Sequence, residues 1–349
     1  MVVVMRSRDI GKITLAHGAG GRESSELIEK LFSKKFRKVS LFNGIGLREL
    51  DDGATIPLKN ISKYSLVISS DSYTVDPLFF PGGNIGTLAV TGSINDVAVM
   101  GGKPIGMLDT IVVEEGFPIN ILEKIVDSMK NVLENEDVAL IGGDLKVMPR
   151  GKIDKIVIST TCIGLASKII TDCGLKPGDK IIISGTIGEH GITILAMQMG
   201  VEIEESGLKS DIESVVRIMD IALKNGGIHA AKDPTRGGLA QALNEFASKN
   251  NLGIFLKEEL IPIREEVRSY SEILGIDPLT LACEGRVVLG VNGETAETIV
   301  EELHRNGFKD ACIIGEVRKE RKGLVLMETI TGGLRLVERP IGEIVPRIC

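Results

Sequence analysis

The sequence predicts a protein of mixed α and β layers built as two domains, and three observations predict it. Apolar residues recur at strand and helix periods by turns in both halves of the chain. The chain is 349 residues long, enough for two ordinary hydrophobic cores. A polar, turn-forming stretch, Asp172-Cys173-Gly174-Leu175-Lys176-Pro177-Gly178-Asp179, separates two apolar regions and marks the boundary.

Residues 1–42 hold a glycine-rich loop, His17-Gly18-Ala19-Gly20-Gly21-Arg22, then an amphipathic helix with Leu27, Ile28, Leu31 and Phe32 at helical spacing. Residues 43–170 form the first domain. There, residues 64–70 alternate as a strand and deliver Asp71 at its end. Pro77 and Pro81-Gly82-Gly83 break the chain before a helix over residues 84–100, and residues 104–113 form a further strand. Pro118 opens a helix with Ile121, Leu122, Ile125, Val126, Met129, Val132 and Leu133 on one face. Residues 153–166 are rich in β-branched side chains and close this domain as a strand. The second domain, residues 175–338, alternates in the same way, with strands over 180–184 and 286–291, helices over 192–199, 213–225 and 239–250, and a helix from Glu294. Residues 339–349 form a mobile tail, in which Pro340, Gly342 and Pro346 oppose any long helix.

Composition excludes several classes of function. The chain carries 41 Lys and Arg against 48 Asp and Glu, with no Trp. Nucleic-acid binding wants basic stripes and stacking rings, so it is not expected. No apolar run approaches a membrane span, and Met1-Val2-Val3-Val4-Met5-Arg6 is too short for a signal peptide. A cytoplasmic protein without membrane partners is expected. Cys162, Cys173, Cys283, Cys312 and Cys349 form no CxxC pair, and their odd number argues against a disulfide framework. The first four sit among apolar neighbours, where small buried thiols are common. His17, His190, His229 and His304 lack metal-ligand spacing, so no structural zinc is expected.

The acidic residues fall in a pattern. Asp51-Asp52-Gly53, Ser70-Asp71-Ser72, Asn95-Asp96, Gly142-Gly143-Asp144 and Lys232-Asp233-Pro234 each set a carboxylate beside a glycine, a proline or a strand end. Such chain corners let side chains converge on magnesium held against nucleotide phosphates. Helix caps and turns produce the same pattern one residue at a time. The glycine loops match neither GxxxxGK[ST] nor a GxGxxG after a strand.

The tail is more specific. It ends Pro346-Arg347-Ile348-Cys349, and an extended arm of this length reaches roughly 40 Å at about 3.3 Å per residue. A thiol at its tip can visit one site to be loaded and another to react, and the sequence does not decide whether the tail rests inside or outside. Arg347 favours the thiolate and the terminal carboxylate opposes it. A prenylation box would need the cysteine four from the end. By composition alone, chance explains a final cysteine as well as function does.

Several motifs together resemble the HypE family of hydrogenase maturation proteins, from about residue 11 to the last residue. They are His17-Gly18-Ala19-Gly20-Gly21, Ser70-Asp71-Ser72-Tyr73-Thr74-Val75-Asp76-Pro77, Gly82-Gly83-Asn84-Ile85-Gly86-Thr87, Asp233-Pro234-Thr235-Arg236-Gly237-Gly238-Leu239, Cys283-Glu284-Gly285-Arg286 and the final Pro346-Arg347-Ile348-Cys349. The last is the most specific, because the related aminoimidazole ribonucleotide synthetases and selenophosphate synthetases lack it. The resemblance implies two α+β domains in a fold like that of aminoimidazole ribonucleotide synthetase, and a homodimer whose N-terminal domains join their sheets. It implies a carbamoyltransferase partner, HypF, which loads a carbamoyl group onto Cys349. A HypC–HypD complex then accepts the cyanide for the iron of nickel–iron hydrogenase.

The implied reaction is ATP-dependent dehydration of the thiocarboxamide on Cys349 to a thiocyanate. Oxide is a very poor leaving group, and phosphorylating the carbamoyl oxygen lets it leave as phosphate. The work is then positioning and charge neutralisation. By resemblance, Asp52, Asp71, Asp96 and Asp233 hold magnesium, and Gly20, Gly21, Asp51, Gly82, Gly83, Asn84 and Asp144 bind ATP. Lys146 steadies developing negative charge, with a solvated loop lysine as the alternative. Glu284 is the base, with an ion pair to Arg286 as the structural alternative. One departure stands out: Leu145 occupies a position where the family usually has Thr. Among rivals, a selenophosphate synthetase usually carries a reactive Cys or selenocysteine in its first glycine loop, whereas the first cysteine here is Cys162. An aminoimidazole ribonucleotide synthetase would not need a cysteine tail. A scaffold that only docks assembly partners would not need the acidic set.

Overall fold

The computed structural model describes Arg22, Glu26, residues 43–45, Glu49, 51–58, 63–201, Ile203, 207–342, Val345 and 347–349. The glycine loop with Gly20 and Gly21, and the helix expected after it, therefore lie outside the described residues except for Arg22 and Glu26.

The first half is a five-stranded sheet in the order β1-β2-β7-β5-β6. These strands are β1 (Ala54–Pro57), β2 (Ser65–Tyr73), β5 (Lys103–Glu114), β6 (Ala139–Met148) and β7 (Ile156–Ala166). Only β5 and β6 run parallel; the other pairs are antiparallel. A two-stranded ribbon, β3 (Phe79–Phe80) and β4 (Gly83–Asn84), leads into helix α1 (Ile85–Val99). That helix is apolar all round and is buried all round, as such helices are. It packs on β2 and β7 on one side and on the second half of the molecule on the other. Gly92 makes the close fit possible, since a methyl group there would stand 2.2 Å from Tyr73 Oη. The amphipathic helix α2 (Ile119–Asn135) covers the rest of the face through Ile125, Met129 and Leu133.

The second half is a seven-stranded sheet in the order β14-β13-β10-β12-β8-β11-β9. Its strands are β8 (Lys180–Ile183), β9 (Ile228–Lys232), β10 (Gly253–Lys257), β11 (Val288–Val291), β12 (Cys312–Arg318), β13 (Val325–Glu328) and β14 (Leu334–Leu336). Helices cover both faces, which explains the uninterrupted apolar run of β8. Ile181 and Ile183 meet α5 (Gly238–Asn250). Ile182 faces the opposite way, to α4 (Val216–Asn225) and α7 (Ala296–Arg305). Helices α3 (Glu189–Gln198) and α6 (Glu265–Leu274) pack into the first half's core, so the two halves share a buried boundary. No helix of the described residues is long and apolar enough to cross a membrane.

Several sequence expectations change. Asp71 lies inside β2, opposite Thr160, rather than at a strand end. Asp96 is in the last turn of α1, and Asp144 is in the middle of β6, so neither occupies a chain corner. Strand β6 was not expected at all, because its Gly142-Gly143 pair masks the strand pattern. The boundary segment is anchored: Asp172 is fully buried, pairs with Lys249 at 2.6 Å, and accepts Asn250 Nδ2 on its carbonyl at 2.7 Å. Cys173, expected among apolar neighbours, is exposed.

Candidate active site

Five carboxylates from separate elements lie within electrostatic reach of one another beneath α1. Asp52 precedes β1, Asp71 is on β2, Asp96 on α1, Asp233 follows β9, and Glu284 precedes β11. Burial, and then the charges of Asp233, Asp52 and Asp71, pushes the Asp96 carboxyl well above the usual carboxylate range. Asp233 is pushed up to about 7 by burial and by Asp52. Glu284 is raised well above its ordinary value by burial, Asp233 and Asp211. Three oxygens of this group, Asp52 Oδ2, Asp233 Oδ2 and Glu284 Oε1, are buried without a hydrogen-bond partner. Buried polar atoms are ordinarily paired, so the cluster is built with uncompensated acceptors and excess negative charge. Asp51 is turned aside toward Asp172 and Lys249; burial and Asp172 push it up to about 7.

Two cations stand among the carboxylates, and sequence reasoning gave neither a role. Lys232 pairs with Asp52 and, at 3.3 Å, with Glu245. Burial works against its charge, but Asp52 and Glu245 outweigh this and hold it protonated. Arg236 faces Cys349, Asp71 and Glu284, and the field of Cys349 is the largest influence on it. The segment carrying Glu284 is held by Asp211, whose carboxylate accepts the Glu284 and Gly285 main-chain N–H groups at 3.1 and 3.3 Å. Arg286 reaches Glu189 at 3.7 Å and Asp211 at 3.6 Å, so the ion pair with Glu284 that stood as the structural alternative does not form.

The tail is docked inward. Val345 and Ile348 are buried in the core of the first half, and Cys349 is half-buried against it, a placement that the sequence left open. Asp76 N–H donates to the Arg347 carbonyl at 3.2 Å, and Thr74 Oγ1 donates to a carboxylate oxygen of Cys349 at 3.2 Å. Arg347 adopts a left-handed backbone, φ 49°, which turns Ile348 into the core. Its guanidinium points away from the thiol, donating to the Thr74 carbonyl at 2.7 Å and pairing with Asp154. The cation beside the thiol is therefore Arg236 rather than Arg347. Burial pushes the Cys349 thiol up to about 12; Arg236 opposes this, and Glu284, Asp71 and Asp96 add to it.

Asp144 and Lys146 are elsewhere. They stand 3.7 Å apart, both exposed, on the edge strand β6. In the sheet order β2 and β6 are separated by two strands, about 14 Å at about 4.8 Å per step. Asp71 lies opposite Thr160, Thr160 opposite Asp109, and Asp109 opposite Gly143, so Asp144 and Lys146 project from the other face of the sheet. One chain does not bring them to the acidic cluster.

The same architecture is found in known proteins. Residues 50–166 match the N-terminal domain family, and residues 176–327 the C-terminal domain family, of AIR synthase related proteins. A putative hydrogenase expression/formation protein of Methanocaldococcus jannaschii is 48% identical over 97% of this chain and 100% of its own. The carbamoyl dehydratase HypE of Rhizobium leguminosarum bv. viciae is 40% identical over 97% of this chain and 95% of its own. The chain belongs to the HypE family. A crystal structure of HypE in complex with ATP superposes with a TM-score of 0.78 at 39% identity, covering 97% of this chain and all of that one. A HypE–HypF complex superposes at 0.82 with 36% identity, covering 92% of this chain and all of that one.

The residues carried over from the HypE family sort into three groups. Asp52, Asp71, Asp96, Asp233, Glu284 and Cys349 are brought together. Asp144 and Lys146 are not. Gly82, Gly83 and Asn84 have structural work of their own: a methyl on Gly82 would stand 2.7 Å from the Ser210 carbonyl, and one on Gly83 would crowd Ile212 at 3.1 Å. Asn84 caps α1 by accepting from Gly86 and Thr87 N–H. Leu145 is exposed beside Asp144 and Lys146. The acidic cluster fits a divalent cation, since its orphaned oxygens and raised carboxyls call for positive charge. Among the described residues no three His, Cys, Asp or Glu side chains form a ready cage. Magnesium needs none, because it commonly binds one or two carboxylates together with phosphate oxygens and water.

Proposed function

We propose that this chain uses ATP to convert a carbamoyl group on Cys349 into a nitrile. The observation that carries the reading is the inward tail, with the Cys349 thiol among Arg236, Glu284, Asp71 and Asp96. A thiol with a pKa of about 12 is a poor nucleophile at neutral pH, so the inward pose suits reaction of a loaded cysteine rather than its loading. Loading belongs to an outward pose, on the partner HypF; a HypE–HypF complex among the relatives supports that partnership. Use of ATP is supported by the relative solved with ATP.

In the inward pose the thiocarboxamide carbonyl oxygen takes the γ-phosphoryl of ATP, which leaves ADP. The N–H protons then depart, the carbon–oxygen bond breaks, and S–C≡N, phosphate and a proton are formed. Arg236 holds the thiocarboxamide by its charge. Asp52, Asp71, Asp96 and Asp233 would hold magnesium, which would supply positive charge to offset the triphosphate and to favour ionised carboxyls around it. Glu284, raised well above its ordinary value by burial, Asp233 and Asp211, is a stronger base than a free carboxylate once ionised, and accepts an N–H proton.

The exposed edge of β6 supports a homodimer. Ile141 and Val147 are 60% and 59% exposed there, beside a groove of about 550 Å³ against α2. An unpaired apolar edge is a template for a second sheet. Pairing of the two N-terminal sheets would bury this edge, and Lys146 and Asp144 join the reaction only through that pairing. The thiocyanate then passes to a HypC–HypD acceptor as a cyanide ligand for hydrogenase iron.

Phosphate release tests the reading. With HypF, carbamoyl phosphate and Mg-ATP, the protein should release phosphate in proportion to Cys349 loaded, beyond what HypF releases alone. Equal release from Cys349→Ser would remove the basis for the proposal.

A further inference from the structure

His190 is the second residue of α3 and is fully buried, yet it touches none of the acidic cluster by hydrogen bond. Its Nδ1 is 2.7 Å from Ser210 Oγ, and its Nε2 is 2.8 Å from the Ile348 carbonyl oxygen. A carbonyl can only accept, so Nε2 carries the proton and Nδ1 accepts from the Ser210 hydroxyl. Burial lowers the histidine's pKa, which keeps the ring neutral and this tautomer in place. Ser210 is itself fixed: its hydroxyl oxygen accepts Ile212 N–H at 3.1 Å, and its own N–H donates to the Pro81 carbonyl at 2.9 Å. The next residue, Asp211, holds the main chain of Glu284 and Gly285. One crossing segment therefore reaches the tail through Ser210 and His190, and the Glu284 loop through Asp211. Helix α3 lies hard against that loop, since a methyl group on Gly191 would stand 2.8 Å from Ala282 N.

From this juxtaposition we infer that Ser210 and His190 are positioning residues for the reaction: they latch the penultimate carbonyl of the tail and hold the loaded Cys349 in register with Glu284. The inference deepens the proposed function and rests on it for the reaction, but the latch itself is testable without any turnover. Neither residue touches the reacting atoms. Losing the latch should shift the tail outward, which favours loading and disfavours dehydration.

Alkylation of the full-length protein by N-ethylmaleimide, read as adduct on the tail peptide, measures how often Cys349 is out. A lost neutral hydrogen bond is worth on the order of a tenfold change in that population. His190→Leu should therefore alkylate Cys349 about tenfold faster than the parent, and Ser210→Ala should move the same way by less. His190→Gln, which keeps an N–H donor near the Nε2 position, should stay close to the parent. After loading by HypF, His190→Leu should dehydrate the carbamoyl group about tenfold more slowly while loading at least as fast. If His190→Leu does not fold, the contrast between Ser210→Ala and His190→Gln decides the matter. Parental alkylation in Ser210→Ala and in any folded His190→Leu, or a His190→Gln rate above that of Ser210→Ala, would overturn the latch. Faster alkylation without any carbamoyl loading in the parent would leave the latch standing and remove the proposed function instead.

Discussion

Asp71 and Asp144 sit on the same sheet, three strand spacings apart, and their surroundings differ in every respect that matters to chemistry. Asp71 shares a buried cluster with Asp96, Asp233 and Glu284, where raised carboxyls and orphaned oxygens record a charge that the single chain does not balance. Asp144 is exposed on an edge strand, weakly paired to its neighbour Lys146, in the solvated setting where ion pairs contribute least. The buried region declares a ligand by what it lacks within one chain. In the proposed dimer the edge gains chemical meaning, because a second sheet covers it. The proposed function then joins two events, docking of the tail inside and of a second copy outside.

The strongest way to break the comparison is at the tail. Cys349→Ala should abolish carbamoyl acceptance completely while the protein melts within a few degrees of the parent, because a half-buried methyl-sized side chain is nearly conserved. Label on the Ala variant at the parental level would mean that another cysteine is the acceptor. Next in size is Glu284→Gln, which keeps shape and burial but removes basicity. Its single-turnover dehydration should slow about 10²- to 10⁴-fold, with the carbamoylated form accumulating. A near-parental rate would leave Glu284 as a structural acid only.

The edge is tested by Ile141→Asp. A carboxylate set into an apolar contact should weaken self-association on the order of a hundredfold, equivalent to about 2.7 kcal/mol. Sedimentation should then show monomer for the variant and dimer for the parent, and turnover should fall although the acidic cluster is untouched. A fully active monomer would remove Lys146 and Asp144 from the reaction.

The smallest effect concerns charge in the buried cluster. Asp233 binds a proton in the folded protein up to about pH 7, far above its unfolded value of 3.8. Between those two values the folded state holds more protons, so this group's contribution to stability falls as pH rises, and levels off above about 7. Asp233→Asn should thus raise the melting temperature of the metal-free protein more at pH 8 than at pH 5.5. In the parent, magnesium should bind more tightly with rising pH over the same window, because it displaces those protons. A stabilisation that shrinks with pH would reverse the electrostatic account.

Much of the fold was legible because its signals were local. The all-apolar run of α1, the one-sided stripe of α2 and the β-branched β7 each announce themselves within a dozen residues. Strand β6 did not, since both its faces are exposed in the single chain and a glycine pair breaks its pattern. The acidic residues were visible, but the expectation that set them at chain corners was wrong for Asp71, Asp96 and Asp144. What gathers Asp52, Asp71, Asp96 and Asp233 is the packing of α1 between two sheets, and that is not a property of any one segment. His190 was hidden for a similar reason. A lone histidine on an apolar helix reads as core, and its partner is a main-chain carbonyl 158 residues away. Arg236 stood inside a motif that the sequence did show, Asp233-Pro234-Thr235-Arg236, and its basic charge three residues from the Asp233 carboxylate was the signal available.

The central claim is that the inward Cys349 is where a carbamoyl group loses water. The mass of the tail peptide, followed with carbon-13 carbamoyl phosphate, HypF and Mg-ATP, tests it most directly. The account predicts a labelled carbamoyl adduct on Cys349 that forms first and then loses the mass of one water, with the label retained. A labelled adduct on any other cysteine, or one on Cys349 that keeps its water while ATP is consumed, would contradict it.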